Sequence, residues 1–406
     1  MPIPSNLSFT YGEVIQAFED CIKNKKNTWN AQLFSKFYVE NCINLTNEIN
    51  NGTYEIGQSI TFCVTNPKLR EVFAADFRDR VVHHLIMNEL MPLFEQLFIT
   101  NSYSCRKEKG VLYGVNSIYE QIKQCTKDYT IDAWILKMDL KSFFMSIDKR
   151  LLADRLDEFM VNNYHDHRKK EKLRALCKQV IMHHPERNCE KRGDESLWHR
   201  LPTEKSLFSI EGEKGLPIGN LTSQVFANFY LHPLDKFITE DLGFKYYGRY
   251  VDDFVIICED KERLLAARQK IFDFTIKNLG IEVHPDKVYF QHYLNGAKFI
   301  GAVCKKGRTY IGNRTKGNLH YKLWKKFSKV NEANVDKLLM VVNSYFGFMI
   351  HHKTYKIRKG YFKDNQTLDK WREYVVPSKD YKKVVKVNKK KKSAMEIINN
   401  SKEFVL

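Results

Sequence analysis

The ten residues GRYVDDFVII at 248–257 set two adjacent aspartates, Asp252 and Asp253, between apolar and aromatic runs. Tyr250 and Val251 precede the pair, and Phe254 to Ile257 follow it. The flanks read as two strands, and the pair falls where a tight turn belongs. Two carboxylates at a hairpin tip repel each other unless positive charge sits between them. A solvated Asp-Asp turn also fits this stretch taken alone.

A second carboxylate source lies upstream. Asp139 ends the apolar run WILKMD, where a central strand would present a ligand. Beside a hairpin carrying two more acids it would make a strongly negative pocket. Such a pocket needs cations, and all-oxygen ligation with open positions suits Mg²⁺. Two such ions roughly 4 Å apart can serve phosphoryl transfer. For Asp139 by itself, a helix N-cap is the competing reading.

The bulk properties agree with a large polyanion-binding protein. The 406 residues are 43% hydrophobic and 13% aromatic, ample for two or three packed units. Lys and Arg outnumber Asp and Glu by 66 to 48, an excess of +18 that points to nucleic acid. Seven of the lysines crowd into 381–397, but the body stays basic without them. The N-terminal MPIPSNLSFTYGEV has no basic region followed by an apolar stretch, so no signal peptide is expected. No apolar run approaches the length that spans a bilayer, so a soluble protein with no membrane partner is expected. The nine cysteines stand singly without a CxxC pair, which argues for reduced thiols in a cytoplasmic setting. The histidines and cysteines between 165 and 199 fit no structural zinc spacing.

Periodicity predicts helices over 10–24, 28–49, 78–98, 221–238 and 260–279, with a charged helical stretch over 150–182. Two strands are expected within 50–77, broken at Asn66-Pro67, and further strands within 132–144 and 298–312. Residues 183–213 read as an irregular insertion. Residues 316–375 read as helical and rich in Lys and Tyr.

Taken in order, these pieces resemble a reverse transcriptase across roughly 28–360. YVDD at 250–253 is similar to the family's catalytic hairpin, and KMDLKSFFMSID at 137–148 to its first carboxylate motif. GLPIGNLTSQ at 215–224 resembles the nucleotide-binding loop and helix, LGIEVHPDKV at 279–288 the lysine-bearing palm motif, and FIG at 299–301 the primer grip. PKLREVFAADFRDRVVHH at 67–84 and NSYSCRKEKG at 101–110 resemble fingers motifs. Retron and group II intron enzymes carry Gln in place of Ile218 and Ser-Pro in place of Ser223-Gln224. The loop here, with LPTEKSLF at 201–208 before it, is most similar to enzymes of diversity-generating retroelements, with some antiphage-defence reverse transcriptases as near relatives.

The resemblance implies an α+β, right-hand polymerase fold with fingers, palm and helical thumb. The palm is an antiparallel sheet with helices on one face. Fingers and N-terminal helices would occupy 1–130, the palm 131–305 with an insertion at about 150–213, the thumb 306–375 and a basic tail 376–406. It implies that Asp139, Asp252 and Asp253, with the Leu140 carbonyl, hold two Mg²⁺ ions, and that Lys287 protonates the leaving pyrophosphate. Lys68, Arg70 and Arg106 would reach the nucleotide or template. Phe144, Ile218, Gly219 and Gln224 would line the dNTP site, and Phe299, Ile300 and Gly301 would grip the primer. The implied partners are an RNA template, a DNA or RNA primer and dNTPs, with a small basic accessory protein or a dedicated non-coding RNA. A catalytically silent RNA-binding scaffold is the alternative of another class.

Overall fold

A computed structural model describes residues 8–23, 25–26, 28–65, 68–327, 330–362, 371 and 373–387. The chain opens with α1 (Tyr11–Ile22), α2 (Trp29–Lys36) and α3 (Tyr38–Asn51), followed by β1 (Ser59–Val64), β2 (Arg70–Ala74) and α4 (Phe77–Leu97). Next come α5 (Val111–Cys125), β3 (Trp134–Asp139), α6 (Phe143–Ser146), α7 (Lys149–Asn163) and α8 (His167–Met182). β4 (Cys189–Lys191) and α9 (Ser196–His199) lead to α10 (Leu221–Lys236), the hairpin β5 (Tyr246–Tyr250) and β6 (Asp253–Cys258), and α11 (Lys261–Leu279). β7 (Tyr289–His292), β8 (Ala297–Phe299), β9 (Ala302–Lys305), β10 (Arg308–Ile311), α12 (Asn313–Phe327), α13 (Val335–Met349), α14 (Tyr355–Gly360), β11 (Val375–Pro377) and β12 (Val384–Lys386) complete it.

The described residues divide into two units. One holds those up to Gly110 and Leu136–Phe290, the other Val111–Ile135 and those from Gln291 onward. The central sheet has the order β5-β6-β3-β7, with β5 and β6 antiparallel. β6 reads DFVIIC, and every residue after Asp253 is buried, as expected of a strand covered on both faces. α11 packs on β6, and α10, almost wholly apolar on its inner turns, is buried along most of its length. Local signals end the helices where expected. Thr10 and Glu13 form a reciprocal capping box at α1, and Gly280 closes α11 in the left-handed region.

The insertion is anchored. Its β4 pairs in parallel with β1. The buried carboxylate of Glu71 on β2 accepts from Trp198 Nε1 (2.8 Å), Ser206 Oγ (2.7 Å) and the Leu207 N–H (2.9 Å). One buried acid therefore ties the irregular stretch to the β1–β2 hairpin, and the buried Ser206 and Leu207 donors would otherwise be stranded without water.

In the second unit, β8, β9 and β10 form a small antiparallel sheet. Leu319, Leu323, Leu338, Val342 and Phe346 pack with Trp371, Val375 and Val384 into one core. Several expectations change here. The helix expected over 28–49 breaks at Phe37, whose φ −128 and ψ 40 are not helical. The helix α5 has no counterpart among the expected elements, and it groups with the second unit rather than with 1–110. Part of the expected tail is folded: β11 and β12 pair, and Asn343 of α13 exchanges hydrogen bonds with Val384 at 2.9 and 2.7 Å. The lysine run at 389–392 lies outside the described residues.

Candidate active site

The site is built on two strands that end at the same edge. Period-2 geometry puts Lys137 and Asp139 of β3 on one face, at the strand's C-terminal end. Tyr250 pairs with Asp253, leaving Val251 and Asp252 as a two-residue loop. The Leu140 N–H donates to the Asp252 carbonyl at 3.2 Å, which ties the hairpin tip to the end of β3. All three aspartates thus converge, two of them partly exposed at 20% for Asp139 and 23% for Asp253.

Two lysines neutralise them. Lys287 donates to Asp139 Oδ1. Lys137 Nζ lies 2.9 Å from Asp253 Oδ2, whereas Asp253 Oδ1 is buried with no partner. Burial pushes the Asp252 carboxyl up to about 6, and the charge of Asp139 adds to this while Lys287 and Arg70 oppose it. Burial likewise pushes Asp253 up to about 6, with Lys137 pulling it down and the other two aspartates pushing it up. A carboxylate cluster this costly to ionise is one that a cation would stabilise. Among the described residues no ready-made His/Cys/Asp/Glu metal cluster is present; the lysines supply the positive charge instead. The residues nevertheless fit a hard cation. The orphaned Asp253 Oδ1 is one donor. The Leu140–Val283 bridge is closed by Lys141 N–H to Glu282 O and His284 N–H to Asp139 O, so it does not use the Leu140 carbonyl.

The loop of Ile218 and Gly219 lies against β2. The Phe73 N–H donates to the Ile218 carbonyl at 2.8 Å. A Cβ on Gly219 (φ +126) would stand 2.6 Å from the Phe73 carbonyl oxygen and 2.8 Å from Val72 Cγ1, so this position requires glycine. Ile218 and Phe144 both pack on the cluster of Phe73, Met145 and Leu207, while Phe143 is core. Gln224, exposed in the first turn of α10, accepts from Cys105 Sγ at 3.1 Å. Arg70 and Lys68 lie on the exposed side of the β1–β2 hairpin, and the Arg70 charge reaches Asp252.

Arg106 departs from expectation. Its guanidinium turns inward to Glu95 at 2.8 Å and to the carbonyls of Ile99 (2.6 Å) and Ser102 (3.0 Å). Those bonds leave it no fork to offer a nucleotide. Phe299, Ile300 and Gly301 lie in the second unit, where they turn the chain between β8 and β9. Ile300 (φ +45) and Gly301 (φ +82) are both left-handed, and the Gly301 carbonyl accepts from Gly312 N–H at 2.9 Å. Lys137 was missed by sequence reasoning. The available signal was its spacing, two residues before Asp139 in a strand.

A carboxylate-tipped hairpin beside an acidic strand end, on a basic chain, is an arrangement that could serve nucleotidyl transfer. The particular family follows from comparison: the profile described as Reverse transcriptase (RNA-dependent DNA polymerase) matches residues 65–312. The chain belongs to that family, and its fold is the α+β right-hand polymerase fold. It is similar to Protein YkfC of Escherichia coli (strain K12), at 23% identity over 61% of this chain and 66% of YkfC. It is also similar to an uncharacterized 91 kDa protein in the cob intron of Schizosaccharomyces pombe, at 26% identity over 52% of this chain and 23% of that protein. Among solved structures it resembles apo telomerase from Candida tropicalis (14% identity, TM-score 0.46, covering 63% of this chain and 55% of that one). It also resembles telomerase from Candida albicans with a fragment of telomeric RNA (10% identity, TM-score 0.43, covering 80% and 63%). Among the described residues no helix is long and apolar enough to cross a membrane.

Proposed function

We propose that the chain is an active RNA-directed DNA polymerase that copies a dedicated RNA template into cDNA with errors, as in a diversity-generating retroelement. The observation that supports this best is the convergence of Asp139, Asp252 and Asp253 at one sheet edge, neutralised by Lys137 and Lys287. Asp139 and Asp252, with the Leu140 carbonyl, hold two Mg²⁺ ions, and Asp253 completes the site. Bound Mg²⁺ supplies Lewis acidity at the primer 3′-hydroxyl and neutralises charge on the triphosphate. The protein's own work is positioning. Arg70 and Lys68 take the β- and γ-phosphates from the β1–β2 hairpin; a guanidinium fork suits phosphate. Gly219 lets the nucleotide loop approach β2, and Phe144 lies under the sugar to exclude a 2′-hydroxyl. Gln224 contacts the nucleotide from the start of α10. Lys287, which donates to Asp139, gives a proton to the departing pyrophosphate. Phe299 to Gly301 hold the primer end, and 306–375 serve as the thumb. Ile218 offers the nascent pair shape but no hydrogen bond, which is the basis for low fidelity. A small basic accessory protein or a dedicated non-coding RNA completes the assembly.

Primer extension on an RNA template tests this. The parent should extend with Mg²⁺ and not without it, and Asp252→Asn should fold, bind RNA and synthesise no DNA. Full extension by that variant would overturn the assignment. Sequencing the nucleic acid that co-purifies with the protein distinguishes a retroelement template from a defence-system RNA.

A further inference from the structure

The tip of the β5–β6 hairpin is conformationally awkward. Two-residue hairpin loops call for positive φ at their first position, a place usually taken by Asn, Asp or Gly. Val251 occupies it, at φ +57. A β-branched residue enters that region against a steric bias on the order of tenfold, so something must hold it there.

Both backbone groups of Val251 are held. Its N–H donates to Ser104 Oγ at 3.3 Å, and its carbonyl accepts from Arg249 Nη1 at 3.0 Å. These anchors are themselves fixed. Ser104 Oγ donates to Asn228 Oδ1 at 2.8 Å, and Asn228 Nδ2 donates back to the Ser104 carbonyl at 2.7 Å. Arg249 uses every N–H it has. Nε and Nη2 fork onto Asp235 at 2.6 Å each, Nη2 also reaches Ser102 Oγ at 3.2 Å, and Nη1 reaches Asn228 Oδ1 at 3.1 Å besides Val251. Tyr247 adds a hydroxyl bond to Asp235 at 2.6 Å. Arg249 and Asp235 are both 0% exposed. The next residue, Asp252, is fixed from the other side by the Leu140 N–H.

We infer that Arg249, locked by Asp235, is a positioning residue: it keeps Val251 left-handed and thereby aims Asp252 at Asp139. This rests on the reading of Asp252 as a metal-binding carboxylate. A buried ion pair is seldom a source of net stability, since apolar residues of similar volume often replace one at no cost. Its fork geometry, in contrast, cannot be supplied by apolar residues, and it terminates on the one carbonyl that sets the turn.

Arg249→Met alone would strand a buried carboxylate and unfold the protein. The test therefore removes the whole group, with Arg249→Met, Asp235→Leu and Tyr247→Phe together in the full chain. It is compared with the parent and with the same variant carrying Val251→Gly. Thermal unfolding reports folding, hydrogen–deuterium exchange reports the peptide 246–258, and the electron paramagnetic resonance signal of free Mn²⁺ reports cation binding. The triple variant should melt cooperatively and keep parental exchange in α11. Its tip should exchange at least tenfold faster, and Mn²⁺ should bind at least tenfold more weakly. Val251→Gly should bring Mn²⁺ binding back to within about threefold of the parent, because glycine takes positive φ without steric cost. A folded triple variant with parental tip exchange and parental Mn²⁺ affinity overturns the inference, as does a Val251→Gly variant that recovers nothing. If the parent itself binds no Mn²⁺, the functional reading of Asp252 fails, and tip exchange alone decides for or against the clamp.

Discussion

Lys137→Met should change cation binding in a way that depends on pH. Lys137 Nζ sits 2.9 Å from Asp253 Oδ2, with the two side chains 18% and 23% exposed. A hydrogen bond between charged groups in such a place contributes about 1.5–3 kcal/mol. At 1.36 kcal/mol per pKa unit, that is about one to two units. Asp253 is already pushed up to about 6 by burial, with Lys137 pulling the other way. Removing Lys137 should lift it further. A proton and a divalent cation both displace Lys137 from this carboxylate. Below about pH 6 the site starts protonated in parent and variant, the lost ion pair affects neither exchange, and the two bind cation alike. Above about pH 8 both carboxylates are ionised, and the variant has no ion pair to break. It should then bind cation about tenfold more tightly, or more. Mn²⁺ titrations from pH 5.5 to 8.5, with unfolding curves as a folding control, measure this. A ratio that does not vary with pH, or weaker binding by the variant at pH 8.5, would refute the competition between Lys137 and the cation.

Other outcomes follow from the same geometry. Asp253 is an acid whose folded pKa is raised, so it costs stability fully above about pH 6 and not at all below its unfolded value near 4. Asp253→Asn should therefore raise the melting temperature at pH 7.5, by about 1–3 kcal/mol in stability, with the gain fading as pH falls through 6 and gone near 4; an unchanged melting temperature at pH 7.5 argues against the burial cost. Gly219→Ala should lift the nucleotide loop off Phe73 and raise KM for dNTPs, at a cost of about 1–3 kcal/mol, whereas Gly12→Ala, with nothing within 4 Å of the added atom, should change neither. Ile218→Gln, measured by error rate per template base, should lower misincorporation several-fold, most of all opposite adenine, since one hydrogen bond contributes on the order of 1 kcal/mol; equal error spectra would leave Ile218 as a packing residue of the Phe73 cluster.

The strands around Asp252 and Asp253, the placing of Asp139 at a strand end, and the glycine after Ile218 were legible in the amino-acid sequence. These are legible because period 2, adjacency and punctuation by turn residues are local properties of the backbone. The tail hairpin was not legible, since Val384 is held by Asn343, 41 residues away. Nor was the inward turn of Arg106, which Glu95 decides. A basic residue in a fingers motif looks the same in sequence whether its fork faces solvent or a buried carboxylate. The pairing of Lys137 with Asp253 and of Arg249 with Asp235 belongs to the same class. Each joins charges from different elements, and the partner of a buried charge is chosen by whichever opposite group the packed chain brings within hydrogen-bonding distance. Only the tertiary structure decides that, because the cost of leaving such a charge unpaired arises when the surrounding water has been removed.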